Sequence, residues 1–411
     1  MTKILWFSNR GILNSKISGS GSWLFSMSHN LTKHYDVEIL NITESAKVRS
    51  AVRREEGNIT EWTLPHYRLF NGLPSKNNIK QIVDIVKEYC PDVIHVWGVE
   101  NYWGLLFSRG FLKDQNTLLE IQGVLFACSE YYRNCLYWKE FYSCQPFFKA
   151  CYSYFYIYMQ SLKFNKRLKF EKEILSSFNN ISCQSNWTRH KVGFRASNAS
   201  FHTSLRPIRP QFISALKWKS DVTSNNIFTI ASAEPYKGLH ITLKAIAVLK
   251  NRMPDVKLLV AGVSFKKINS GYLQYISDLV VHLGIQKNVV FLGSLSAQEI
   301  IEIIYVSKCM VISSYVESYS AVFAESMYIG IPSVVSFSGA MTEFAKDGES
   351  VLYYTPGDYY QCADKIEILI NNTITAETIS ASAMLLSGKN DELKVAENQM
   401  RVYKDVIAKK R

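Results

Sequence analysis

Between residues 227 and 336 the chain repeats one pattern: a short apolar run, a glycine or small polar turn, then a longer segment with helical spacing. Apolar runs at 227–231, 256–261, 289–292 and Cys309–Ile312 alternate with helical stretches at 239–251, 273–283 and 297–306. Short strands joined through helices pair in parallel and are covered on both faces, so this alternation predicts an α/β domain and excludes sandwiches and helical bundles. A less regular version fills the first half, with strands at 3–8, 37–42, 92–97, 118–121 and 180–184 and helices at 24–33, 79–89, from Tyr102, and over 172–178. A chain of 411 residues exceeds one ordinary core, and two domains are expected. The proline-punctuated run 204–210 and the polar run 217–226 read as a linker. The expected organisation is a first domain over 1–204, a linker over 205–226, a second domain over 227–391, and a charged amphipathic helix over 392–411.

The most informative stretch follows the run Cys309–Ile312. Small polar residues, Ser313 and Ser314 among them, should carry the chain over the carboxyl edge of the sheet, and a helix should start near Ser320 and stop at Gly330, with Pro332 just beyond. Ligands bind at that edge in open α/β sheets. The unsatisfied amides of a first helical turn, here at Tyr319, Ser320 and Ala321, make an anion site. Glu317 precedes this turn and Glu325 lies inside the helix. Carboxylates beside a phosphate pocket suit hydroxyl groups, such as those of a sugar and a ribose.

This stretch resembles the E-x7-E motif of the retaining glycosyltransferases of the GT-B fold, in particular family four of the nucleotide-sugar-dependent enzymes. The resemblance continues through Ser338-Gly339-Ala340-Met341-Thr342-Glu343 and through 347–354. It implies two Rossmann-like domains with parallel sheets facing across a cleft, the donor mainly on the second and the acceptor mainly on the first. By the same resemblance Glu317 is the catalytic position and holds hydroxyls of the donor sugar, while Glu325 holds the ribose diol. In the turn 232–238, Lys237-Gly238 matches the family's diphosphate-binding turn, but Ser232 or Ala233 stands where the family has an arginine, a loss for which backbone amides or Lys266 could compensate. The loop carrying Gly19, Ser20 and Gly21 follows the first strand; it lacks G-x-G-x-x-G and the Walker lysine, and becomes a donor-diphosphate candidate only through the family's first loop. Gln122 occupies a turn where many family members have histidine. Glutamine cannot act as a general base, though it can hydrogen-bond a sugar hydroxyl. Glu100, after the strand at 92–97, is an acceptor-hydroxyl candidate.

No Asp-x-Asp occurs, so no bridging metal and no cofactor are expected beyond a nucleotide-sugar substrate. A net charge of +12 favours anionic partners, but no nucleic-acid motif accompanies it. Eight cysteines without zinc spacing read as free thiols in a reducing compartment, and the first apolar run is too short for a signal peptide, which points to the cytoplasm. The segment 126–170 is dense in aromatic residues and carries Arg133, Lys139, Lys149, Lys163, Lys166, Arg167 and Lys169. Lys149 and many tyrosines disqualify it as a membrane span, leaving two readings: an anionic membrane surface that presents a lipid-linked acceptor, or an aromatic helical pair packed on its own domain. The expected function is retaining, metal-independent sugar transfer from a nucleotide sugar to a glycan, in bacterial surface polysaccharide synthesis. A decayed sugar-binding scaffold and a GT-B nucleotide-sugar epimerase are the alternatives.

Overall fold

The computed structural model describes residues 1–13, 23–66, 69, 71–113, 116–265, 270–388 and 391–408, with the side chain of Arg133 excepted. Gly19, Ser20, Gly21 and Lys266 therefore lie outside the described residues. The chain divides into two compact units, one of Met1–Leu125, Lys166–Arg209 and Lys389–Arg411, the other of Phe126–Asn165 and Pro210–Gly388.

The first unit is built on eight strands, β1 (Thr2–Phe7), β2 (Val37–Ser45), β3 (Val52–Glu56), β4 (Ile59–Pro65), β5 (Val93–Trp97), β6 (Thr117–Glu120), β7 (Asn180–Cys183) and β8 (Ser200–Thr203), in the order β3-β4-β2-β1-β5-β6-β7-β8. Neighbouring strands are parallel except for the β3–β4 hairpin. β5 is buried at every residue, as expected of a central parallel strand covered on both faces. The helix Glu392–Ala408 packs into this unit, where Val395, Met400, Tyr403 and Val406 join Ile4, Trp6, Trp23 and Trp97 in one core. Its Tyr403 hydroxyl receives the Trp6 indole N–H at 2.9 Å and lies 2.8 Å from His95 Nδ1. Burial holds His95 well below the usual histidine pKa.

Six strands form the sheet of the second unit: β9 (Asn226–Ile230), β10 (Lys257–Ala261), β11 (Val289–Gly293), β12 (Cys309–Ile312), β13 (Ser333–Ser336) and β14 (Leu352–Tyr354). All pairs are parallel and the order is β11-β10-β9-β12-β13-β14. The chain winds outward from β9 to β11 and then returns to β12, on the other side of β9. Strand order reverses at this pair, the place where open α/β sheets bind ligands.

One segment sits elsewhere than its sequence position suggests. Phe126–Asn165, expected inside the first domain, belongs to the second unit. Its helices, Leu125–Asn134, Trp138–Cys144 and the start of Phe147–Leu175, pack on the second sheet's helices through rings and ion pairs. Phe141 is 1% exposed and lies 4.8 Å from the Tyr275 ring, Lys149 Nζ meets Asp278 Oδ1 at 2.7 Å, and Lys244 pairs with Glu140. The physical cause is the match between aromatic side chains and a tyrosine-rich helix, Gly271–His282, whose glycine admits the long helix at backbone distance: a Cβ at Gly271 would lie 2.7 Å from the Ser153 carbonyl. The described cysteines are free thiols; Cys135, Cys183, Cys309 and Cys362 are buried, while Cys90 is exposed.

Candidate functional site

The site forms where β9 and β12 end. After β9 the chain makes a short 3-10 turn, Pro235–Lys237, closed by Gly238 in the left-handed conformation (φ 72°), and enters the helix Leu239–Lys250. Gly238 is required by space as well as by conformation, because a Cβ there would overlap the Ser313 carbonyl. The two loops are knitted together: Tyr315 N–H donates to Tyr236 O at 2.8 Å and the Ser313 hydroxyl donates to Lys237 O at 3.1 Å. Beneath them, Thr229 Oγ1 donates to Val311 O at 2.8 Å, tying β9 to β12.

This knitting brings two predicted site residues into direct contact. Lys237 Nζ lies 2.6 Å from Glu317 Oε1, and the Ser314 hydroxyl donates to the same oxygen at 2.7 Å. Glu317 is in turn fixed through its backbone, since Ala340 N–H donates to Glu317 O at 2.8 Å. Gly339 (φ 56°) makes that approach feasible, as a Cβ there would collide with the Glu317 main chain. The Ser338 hydroxyl donates to Ser314 O at 2.6 Å and completes the cradle. Burial pulls the Lys237 pKa down, but attraction and hydrogen bonding from Glu317, with smaller contributions from Cys128 and Glu234, carry it above the usual lysine value. The ammonium is therefore held charged, with two further N–H donors available to a ligand.

The helix after the loop is Ala321–Ile329. Ser320 caps it, its hydroxyl accepting from Phe323 N–H at 3.3 Å, and it is one of the non-glycine residues with positive φ, at 57°. A serine in that region is strained, and such strain concentrates where a loop must present its amides in one direction. Gly330 ends the helix in the left-handed conformation (φ 88°). Glu325 lies in the second turn and is 5% exposed; Tyr319 is 7% exposed, its ring 5.4 Å from Phe344. Ser232 uses its hydroxyl to accept from Glu234 N–H at 3.3 Å and stabilises the turn without supplying charge.

Sequence reasoning missed the contribution of Leu125–Asn134. Tyr131 stacks on Tyr315 with ring centroids 6.1 Å apart, Tyr132 lies 6.1 Å from Tyr236, and Cys128 is close enough to act electrostatically on Lys237. The helix therefore buttresses both loops that hold the Lys237–Glu317 pair. No local signal in 125–134 names those partners, which are separated from it by a hundred residues and more.

Glu100 and Gln122 belong to the first unit, on the loops that leave β5 and β6. Gly98 (φ 99°) and Gly123 leave room for the Glu100 carboxyl: a Cβ on Gly98 would overlap Oε2, and one on Gly123 would lie 3.0 Å from Oε1. Burial raises the Glu100 pKa above the usual carboxylate value, with partial relief from its backbone surroundings and Arg206. Gln122 is half-buried on the next loop.

Residues 213–384 match the family model for glycosyl transferases group 1. Among curated relatives, the D-inositol 3-phosphate glycosyltransferase of Corynebacterium diphtheriae is 24% identical over 176 residues, a match covering 43% of this chain and 41% of that protein. Among solved structures, the sucrose-phosphate synthase of Thermosynechococcus elongatus superposes with a TM-score of 0.76 at 14% identity, covering 100% of each chain. HepE of Anabaena, solved with UDP and glucose, gives a TM-score of 0.68 at 14% identity, covering 98% of this chain and 100% of that one. Residues 213–384 are thus similar to the glycosyl transferases group 1, and the fold of the chain is GT-B.

Proposed function

We propose that this protein transfers a sugar from a nucleotide-sugar donor to a glycan acceptor with retention of configuration and without a metal ion. The observation that carries the reading is the convergence of Lys237, Ser314 and Glu317 at the strand-order reversal, beside the start of Ala321–Ile329. In this reading the two remaining Lys237 donors and the amides at Tyr319, Ser320 and Ala321 meet the donor diphosphate as negative charge develops on it. Glu317 Oε1 is held by Lys237 and Ser314, so Oε2 is assigned to a hydroxyl of the transferred sugar. Glu325 takes the ribose diol, while Gln122 and Glu100 take acceptor hydroxyls. The bond from the anomeric carbon to the diphosphate breaks, the bond to the acceptor oxygen forms on the same face, and the acceptor proton leaves with the diphosphate. HepE's complex with UDP and glucose supports a uridine donor as the first to test. The acceptor is assigned as a lipid-linked glycan of bacterial surface polysaccharide synthesis, processed at the cytoplasmic face of the membrane.

Native mass spectrometry across UDP, GDP, ADP and CMP sugars, with wild type and Lys237→Ala side by side, tests the donor assignment. Selective binding lost in Lys237→Ala is expected, unchanged by EDTA. Binding of no member of the panel would overturn the donor assignment and favour a sugar-binding scaffold, the alternative suggested by Gln122 and by Ser232 or Ala233 in the arginine's place. Binding followed by epimerisation without an acceptor would overturn transfer.

A further inference from the structure

The helix Phe147–Leu175 has two faces of unlike fate. Ala150, Ser153, Ile157 and Ser161 point inward and are buried. On the opposite side Phe148, Tyr152, Phe155, Met159 and Leu162 are 86, 56, 61, 40 and 37% exposed. Their spacing alternates four and three residues, so they form one straight stripe, about 21 Å long at 1.5 Å rise per residue. Phe147 and Tyr142 widen the stripe at its start, and both are more than half exposed. A folded chain that buries Ile157 and leaves Phe148 and Phe155 in water has an unpartnered apolar surface.

Charge identifies what covers it. Residues 141–170 contain no aspartate or glutamate, but carry Lys149, Lys163, Lys166, Arg167 and Lys169. Lys149 is tied to Asp278, whereas Lys163 and Lys169 are exposed beyond the end of the stripe. A second copy docking by the same face would bring these like charges with it and no carboxylates to pair them. An anionic lipid surface supplies the missing charge at headgroup level and a place for the rings just below it, where tyrosine's apolar body and polar tip are both satisfied. No helix among the described residues is long and apolar enough to cross a membrane, and an amphipathic helix with an apolar stripe and flanking cations suits the plane of the interface.

We propose that the Phe148–Tyr152–Phe155–Met159–Leu162 face of this helix docks on an anionic bilayer surface. The proposal rests on no assumption about the reaction, and its test needs neither donor nor acceptor. The full chain is floated with phosphatidylcholine vesicles, with and without phosphatidylglycerol. Wild type should float with the anionic vesicles only. The bound fraction should fall about tenfold in Phe148→Ser/Tyr152→Ser/Phe155→Ser, through lost apolar insertion. It should fall roughly fivefold in Lys163→Glu/Lys169→Glu, whose exposed positions leave packing unaltered. Failure of wild type to float, or equal flotation of wild type and both variants, would overturn the proposal. So would a wild-type dimer, seen by light scattering, that the serine variant dissociates while wild type ignores vesicles.

Discussion

Lys237 and Glu317 stand 80 residues apart in the sequence, yet their side chains meet at 2.6 Å because the strands they follow, β9 and β12, are neighbours in the sheet. The pair is mostly shielded from water, the lysine 31% and the glutamate 14% exposed, so either group alone would be left partly desolvated and unpaired. The expected consequence for catalysis is that Glu317→Gln lowers turnover by about a hundredfold or more, as losses of a charged transition-state partner do. Circular dichroism should remain that of wild type. Near-normal turnover would remove Glu317 from its assigned role.

Ser314 offers a finer test, since its hydroxyl orients the same carboxylate oxygen without bearing charge. Ser314→Ala should cost about 1 kcal/mol of stability. It should slow transfer by roughly tenfold through kcat, with little change in donor KM, because the Lys237 contact survives. Steady-state kinetics with a saturating donor reads the split. A change confined to KM would show that Ser314 serves binding alone.

Gly339 holds its place by geometry. At φ 56°, with the Glu317 main chain where a Cβ would sit, Gly339→Ala must displace one loop or the other. A stability loss of about 1–3 kcal/mol is expected from conformation and overlap together. Activity should fall further than the folded fraction does. Thermal unfolding followed by activity at a temperature where the variant is folded separates the two effects. An alanine variant with wild-type Tm would contradict the close approach.

Acid should weaken the second unit through His240. This histidine is fully buried, its Nδ1 3.0 Å from the Tyr272 hydroxyl, its ring stacked 6.0 Å from Tyr315. Burial first, and Lys244 second, lower its pKa to about 3. The unfolded chain takes up this proton near the ordinary histidine value of about 6.5, and the native state does not until far lower pH. Stability is therefore whole above about pH 6.5 and declines below it, by as much as about 1.4 kcal/mol per pH unit from this group, until the native pKa is reached. Urea unfolding at pH 7 and at pH 5 should show that decline, and His240→Gln should flatten it. An unchanged slope in the variant would assign the acid sensitivity elsewhere.

Phe141 tests the attachment of the aromatic segment. Buried against Tyr275, its replacement in Phe141→Ala should cost about 3–5 kcal/mol. Limited proteolysis should then cut first within 126–165. Unchanged protection of that segment would mean that its hold on the second unit lies in the ion pairs at Asp278 and Glu140.

The sequence alone determined much of this protein, because its signals are local. Strand-and-helix alternation named the α/β class, and the run Cys309–Ile312, the cap at Ser320 and the stop at Gly330 were placed to within a residue, since periodicity and capping act over a few residues. Lys237, Glu317 and Glu325 were legible as site candidates from the motif they sit in. Other elements were not legible: the hairpin β3–β4 carries charges where a strand period would show, and its pairing is set by register with β2. Tertiary structure decided which distant groups share an oxygen, that Ser314 joins Lys237 on Glu317, and that Leu125–Asn134 buttresses their loops. It also decided that Phe126–Asn165 packs with the second unit. Chain order says nothing about which of two apolar surfaces a helix will cover; ring against ring, cation against carboxylate, and the missing side chain of Gly271 settled that in three dimensions.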